Sequence, residues 1–349
     1  MRGEAMGLKS LFPTAKPAGE ILALGELLLD FVPTRSDMRL SEPGTVIKTV
    51  SGSAGIFSCA AAALGARCGL LGKVGRDPFS RLAVETVARS GVDTSHMVRS
   101  EEGQIGLAFL EYLPEGRNYQ YYRENSVGSR FSAGDLDEEV VAQAQILHLP
   151  GMLLELNESI RGACFEAVAM AKRHGVLVSF DPNIRGELRW GGEARERMLR
   201  MASQADILKP TLAEARQLTG REDVWEILDV LHGMGPKLVA ISQDKDGALL
   251  SAGGQVVASP GIDVPVVDPT GAGDCFAAAL CRCVQRDMPL EEAARFCNCV
   301  GTLVCTKRGA VGMAIPAEAE VEELMASGLC RAERLIRPGV DEKEQGRGA

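Results

Sequence analysis

Short apolar runs alternate with helical stripes along most of the chain. Residues 21–26 (Ile-Leu-Ala-Leu-Gly-Glu) read as a buried first strand and 69–75 as a second. A small, apolar stretch over 56–64, closed by Gly65, predicts a tightly packed helix with a glycine cap; 77–90 predicts another, ending at Gly91. Over 103–124 the pattern changes to strand, turn and strand: Leu107 to Leu113, then Pro114-Glu115-Gly116, then Tyr119 to Arg123. A lone hairpin is marginal in water, so this one is expected to share a small sheet with residues 32–48. Beyond it, strands at 146–149, 176–180, 207–209, 238–242 and 248–251 alternate with helices at 158–174, 193–204, 212–219 and 224–234. Such alternation implies an α/β fold: a mainly parallel sheet covered by helices on both faces, with ligands at the carboxyl ends of the strands. The expected domain spans 20–330, with 1–19 and 331–349 as loose termini.

A chain of 349 residues can hold one large α/β domain or two smaller ones. The net charge of −9, without a basic block, argues against a nucleic-acid partner. No apolar span of membrane length and no signal-peptide core occur, so no membrane association is expected and the cytoplasm is the default compartment. Ten cysteines contain no C-x-x-C pair. Cys281 and Cys283, like Cys297 and Cys299, are two apart and fall on different faces of a helix, which predicts buried thiols rather than a metal site.

The chemistry concentrates in Val267-Asp268-Pro269-Thr270-Gly271-Ala272-Gly273-Asp274, followed by an alanine-rich apolar helix. A glycine turn at a helix start presents backbone N–H groups at the positive end of the helix dipole, which suits an anion. A carboxylate there repels the anion, so Asp274 is better suited to taking a proton from an attacking hydroxyl. That pairing predicts phosphoryl transfer to an alcohol. A dinucleotide fingerprint fails because Phe276 stands where its third glycine belongs, and no P-loop motif occurs.

With these motifs in order, the chain resembles the ribokinase-like (PfkB) carbohydrate kinases over roughly residues 20–325. The resemblance rests on Gly25-Glu26 through Asp30, Gly72-Lys73-Val74-Gly75-Arg76-Asp77-Pro78-Phe79, Asp181-Pro182-Asn183-Ile184-Arg185, Asp268 to Asp274, and Lys307-Arg308-Gly309-Ala310. It implies a three-layer α/β sandwich with a small β-sheet lid over the sugar, often shared in a homodimer, and ATP-dependent phosphorylation of a sugar hydroxyl with Mg²⁺. On that resemblance Asp274 is the general base, and Gly271, Ala272 and Gly273 form the anion hole. Thr270, Gly273, Lys209 and Asn298 face the nucleotide, and Glu214 helps hold Mg²⁺, with Thr211 in place of the usual Asn. Asp268, with Thr270, sits where a monovalent cation such as K⁺ often binds. Asp30, Gly52, Tyr121, Arg123 and Arg185 serve the sugar.

The chain departs from the family pattern at Ile56, which replaces a sugar-binding amide, at Ile105, and at Ser242-Gln243-Asp244. The segment Tyr121-Tyr122-Arg123-x-x-Ser126-x-x-Ser129 resembles 2-keto-3-deoxygluconate kinases, where Arg123 and Arg185 would hold the sugar acid's carboxylate bidentately. Residues 25–34 resemble fructokinases more. The expectation leans to the sugar acid, with fructose as the alternative. A non-catalytic kinase-like ligand-binding protein is a third reading, motivated by Ile56 and Thr211.

Overall fold

The apolar run that begins at Ile21 forms two strands in two different sheets. In the computed structural model, which describes residues 7–35, 38–113, 116–184 and 191–338, β1 (Glu20–Leu24) lies in a central sheet and β2 (Leu28–Pro33) leaves it for a second, smaller one. Then follow β3 (Val46–Ser51), α1 (Ser53–Ala63), β4 (Cys68–Val74), α2 (Pro78–Arg89), β5 (Met97–Arg99) and the hairpin β6 (Gly106–Leu113) and β7 (Gly116–Tyr122). The alternating half contains α3 (Glu138–Gln143), β8 (Ala144–Pro150), α4 (Glu158–Arg173), β9 (Leu177–Asp181), α5 (Gly192–Ala202) and β10 (Ile207–Leu208). It continues through α6 (Leu212–Thr219), α7 (Val224–Gly233), β11 (Leu238–Ser242), β12 (Gly247–Ala252) and β13 (Gln255–Pro260). The chain closes with α8 (Ala272–Gln285), α9 (Leu290–Cys305), α10 (Glu318–Ala326) and β14 (Glu333–Leu335).

The central sheet has the order β14-β13-β12-β11-β10-β9-β8-β1-β4-β5. Neighbours from β5 through β11 pair in parallel, while β12, β13 and β14 add an antiparallel edge. Period-two geometry sorts its side chains. Ile21 and Ala23 face a core shared with Phe57 of α1, Phe276 of α8 and Phe296 of α9. Leu22 and Leu24 face a second core with Val168 of α4, Met198 of α5 and Leu231 of α7. Each fully buried Leu or Phe contributes about 1.5–3 kcal/mol of burial free energy, so both faces are strongly held.

The smaller sheet runs β3-β2-β6-β7. Asp30 pairs across the sheet with Thr49 and Ala108, and Ala108 with Tyr121, so these residues share one row. Alternation turns Leu28, Asp30, Tyr119 and Tyr121 toward a cleft. The sequence places the hairpin correctly, but it joins the sheet through β2, with β3 on the far side of β2, rather than along the whole of 32–48.

The termini are more ordered than expected. Leu8 and Phe12 are buried, and Leu8 N donates to Met288 O at 3.0 Å, so the leader is docked from Gly7 onward. At the other end β14 pairs with β13, and Arg337 bonds Asp229 at 2.8–3.0 Å. All ten cysteines are free and all but Cys305 are buried, as expected. Among the described residues no helix is long and apolar enough to cross a membrane.

Candidate active site

The cleft of about 440 Å³ lies between the small sheet and the carboxyl ends of the central strands. Its floor is the turn that starts α8. Gly271 is the N-cap and adopts φ +81°, a left-handed conformation that glycine takes without a Cβ penalty. Gly271 and Gly273 line the cleft with Asp274, whereas the Ala272 N–H turns back to Pro269 O at 3.2 Å. Of the three amides expected in the anion hole, Ala272 is therefore already engaged.

Asp274, in the first turn of α8, is 5% exposed. Its Oδ1 accepts from Ser53 Oγ and from Asn183 Nδ2, the latter at 3.3 Å. Ser53 opens α1, and Asn183 follows β9 in a left-handed conformation (φ +44°) that its own N–H stabilises by bonding Asp181 Oδ1 at 3.0 Å. Three separate elements thus fix the carboxylate. Ser53 and Asn183 were not singled out from sequence, although Asn183 lies inside a recognised motif.

Lys209, at the end of β10, is buried and pairs with Asp181 at 3.2 Å. Burial alone would push its pKa down, but Asp181, Glu214 and Asp274 raise it, so the ammonium stays protonated. A Cβ built on Gly273 would come 3.1 Å from Lys209 Nζ, which puts this charge against the anion turn. The expected role of Lys209 toward phosphate fits that position.

Glu214 sits in a capping box at the start of α6. Its carboxylate accepts Thr211 N and, from the β9 loop, Ile184 N, both at 2.7 Å, while Thr211 Oγ1 accepts Glu214 N at 3.2 Å. Burial and the charge of Asp181 raise its pKa. Each oxygen carries a backbone donor and keeps a second acceptor site toward the cleft that Glu214 lines.

On the sugar side Arg123 lines the cleft, but it is 6% exposed and forms a buried ion pair with Glu26, which burial drives to a raised pKa despite the guanidinium. Its Cζ also stacks 5.1 Å from the Tyr121 ring, and its Nε has no hydrogen-bond partner among the described residues. Asp30 and Tyr121 do line the cleft, and so does Gly52 (φ +101°), where a Cβ would meet Leu27 Cα at 3.2 Å. Arg185 lies outside the described residues.

Two further residues singled out from sequence have protein partners that the sequence did not reveal. Asn298 lies outside the cleft lining, its amide donating to Ser259 Oγ at 3.0 Å and Pro260 O at 2.7 Å, which ties α9 to the end of β13. Asp268 does not present a vacant carboxylate to a cation. It is 1% exposed and accepts Thr270 N (3.0 Å), Thr270 Oγ1 (2.7 Å), Tyr112 OH (3.2 Å), Arg117 Nη1 (3.4 Å) and Gly309 N (3.3 Å). Tyr112 and Arg117 come from the lid hairpin, a connection the sequence did not reveal.

Comparison with known proteins agrees with this geometry. The pattern of the pfkB family carbohydrate kinases matches residues 18–318. Fructokinase-1 of Oryza sativa subsp. japonica is 33% identical over 318 residues, covering 88% of this chain and 98% of the relative. An E. coli protein assigned to ribokinase II, solved with ATP and Mg²⁺, superposes with a TM-score of 0.83 at 26% identity, covering 89% of this chain and all of that one. The fold also matches a 2-dehydro-3-deoxygluconokinase from Thermotoga maritima with a TM-score of 0.81 at 23% identity, over 88% of this chain and 100% of the other. A ribokinase-like α/β sandwich with a separate small sheet, a glycine turn under a fixed aspartate, and a match over most of its length place this chain in the pfkB family: it is an ATP-dependent carbohydrate kinase.

Proposed function

We propose that the acceptor is a neutral ketohexose, fructose. One observation carries this reading: each cation lining the cleft among the described residues already faces a carboxylate. Arg123 faces Glu26, Lys209 faces Asp181 and Arg117 faces Asp268, which leaves no described cation over for a sugar acid. The fructokinase relatives, 30–33% identical over 86–88% of the chain, support the same choice.

In this proposal Asp30 and Tyr121 hold sugar hydroxyls under the lid, and Asp274 accepts the proton of the attacking hydroxyl. That oxygen forms a bond to the γ-phosphorus as the bond to the β–γ bridging oxygen breaks, and ADP leaves with the electron pair. The amides of Gly271 and Gly273 and the Lys209 ammonium stabilise the charge on the transferring group. Mg²⁺ fits beside Glu214 and Asp181, two neighbouring carboxylates whose repulsion and burial a divalent cation relieves. When bound it would neutralise phosphate charge.

The sugar-acid reading, 2-keto-3-deoxygluconate, keeps one supporting observation, the unpartnered Arg123 Nε on the cleft wall. Coupled ADP release with each sugar separates the two. The proposal expects kcat/KM for fructose to exceed that for the sugar acid at least tenfold; the reverse order replaces it with the sugar-acid kinase.

The lid's outer face supports a homodimer. Phe31 stacks on Phe109 at 4.7 Å, Phe109 packs edge-on against Tyr122 at 5.6 Å, and Tyr122 is 64% exposed. Sedimentation of wild type against Tyr122→Glu tests this: a dimer that becomes a monomer agrees, and a wild-type monomer rejects it. The free thiols fit the cytoplasmic setting proposed for the enzyme.

A further inference from the structure

The hub at Asp268 has five donors, and only one of them is charged. Thr270 supplies its N–H and hydroxyl, Gly309 an N–H and Tyr112 a phenol, while Arg117 brings the guanidinium. A carboxylate 1% exposed is costly to keep ionised without a counter-charge. Burial and the nearby Asp268 charge raise the pKa of Tyr112, so that phenol stays a neutral donor and cannot take over the balance.

Arg117 does not belong to the same part of the fold as Asp268. It sits on β7 of the lid, 32% exposed, and one nitrogen, Nη1, reaches both Thr270 Oγ1 at 2.8 Å and Asp268 Oδ1 at 3.4 Å. Tyr119, two residues on, approaches Thr270 Oγ1 at 3.5 Å. Asp268 and Thr270 lie just ahead of Gly271, the left-handed residue that begins the turn lining the cleft. The charge that steadies the phosphate-side turn is therefore carried by the sugar-side lid.

We infer that Arg117 is a positioning residue for phosphoryl transfer: by docking on Asp268 and Thr270 it holds the Gly271–Gly273 turn in its anion-binding form, and it does so only while the lid is closed. Nucleotide and sugar then bind synergistically, because each stabilises the same closed arrangement. The built-in guanidinium also takes the place at Asp268 where an external monovalent cation would otherwise be needed. This inference rests on the phosphate-side role of the turn and not on which sugar is the acceptor.

The test is therefore read without turnover. The affinity of the full-length protein for Mg²⁺ with a non-hydrolysable ATP analogue is measured by calorimetry for wild type, Arg117→Ala and Arg117→Lys, each with and without guanidinium chloride or KCl at millimolar levels. A lost charge-assisted contact of this kind corresponds to roughly a tenfold to hundredfold change in the equilibrium it controls. Arg117→Ala is expected to weaken nucleotide binding by that factor, with affinity recovered in Arg117→Lys or by the added cation. Wild type is expected to show no response to KCl beyond ionic strength. Unchanged nucleotide affinity in Arg117→Ala overturns the inference, even if a sugar KM shifts. So does a loss that neither lysine nor added cation restores and that tracks a fall in thermal stability, since that marks a general structural role. Failure to phosphorylate fructose would leave this result standing, so the two claims fail separately.

Discussion

Replacing Arg123 by methionine removes one half of a buried ion pair and leaves the other behind. Arg123 is 6% exposed and Glu26 3%, and apart from Arg123 the carboxylate has a weak contact from Ser126 Oγ at 3.4 Å. Orphaning one partner of such a pair costs about 3–5 kcal/mol, a large share of the stability of an ordinary domain. Glu26 already has a raised pKa because of its burial, and loss of the guanidinium raises it further. A carboxyl whose folded pKa is raised contributes stability that is full below its unfolded pKa and is lost as pH rises through the folded one. The deficit of Arg123→Met should therefore be greatest at alkaline pH and shrink as pH falls through the raised folded pKa, where the orphan takes up a proton. The double variant Glu26→Leu/Arg123→Met should recover most of the loss, because no buried charge remains. Urea unfolding of wild type and the two variants across this pH range measures all of this. Equal deficits for the single and double variants, with no pH dependence, would refute the claim that Arg123 serves Glu26 before it serves a substrate.

Two other expectations follow from the same geometry. Lys209→Met leaves Asp181 and Glu214 without their cation, so steady-state kinetics should show kcat lower by about 10²–10³-fold with a raised KM for ATP. Gly271→Ala forces an alanine to φ +81° with its Cβ 3.0 Å from Ile56 Cγ2; denaturation should show about 1–2 kcal/mol lost and kinetics a lower kcat.

What the sequence revealed and what it hid have physical causes. Helix α6 was legible to the residue because Thr211 and Glu214 make a capping box and Gly220 ends it left-handed, all local signals. The split between β1 and β2 was not, since an apolar run says nothing about which sheet each half joins. Strand β14 carries Glu333 and Arg334, a composition that reads as tail until its pairing with β13 is known. The glycine turn under Asp274 was readable because it sits in eight consecutive residues. Partnerships were not: Glu26 lies 97 positions from Arg123, and Tyr112 lies 156 from Asp268. For that reason the ion pair of Arg123 with Glu26 and the donors gathered on Asp268 were not legible, and Ser53, Asn183 and Arg117 went unassigned. Asn298 reads from sequence as a buried amide that needs partners, and two of them are Ser259 and Pro260, far from it in the chain.

The central claim, that Asp274 takes the proton in phosphoryl transfer, is tested most directly by Asp274→Asn, which keeps the shape and the contacts to Ser53 and Asn183 within reach. Coupled ADP release with fructose and Mg-ATP should fall by about 10²–10⁴-fold in kcat, with sugar affinity retained by calorimetry. A variant that keeps kcat within tenfold of wild type contradicts the account.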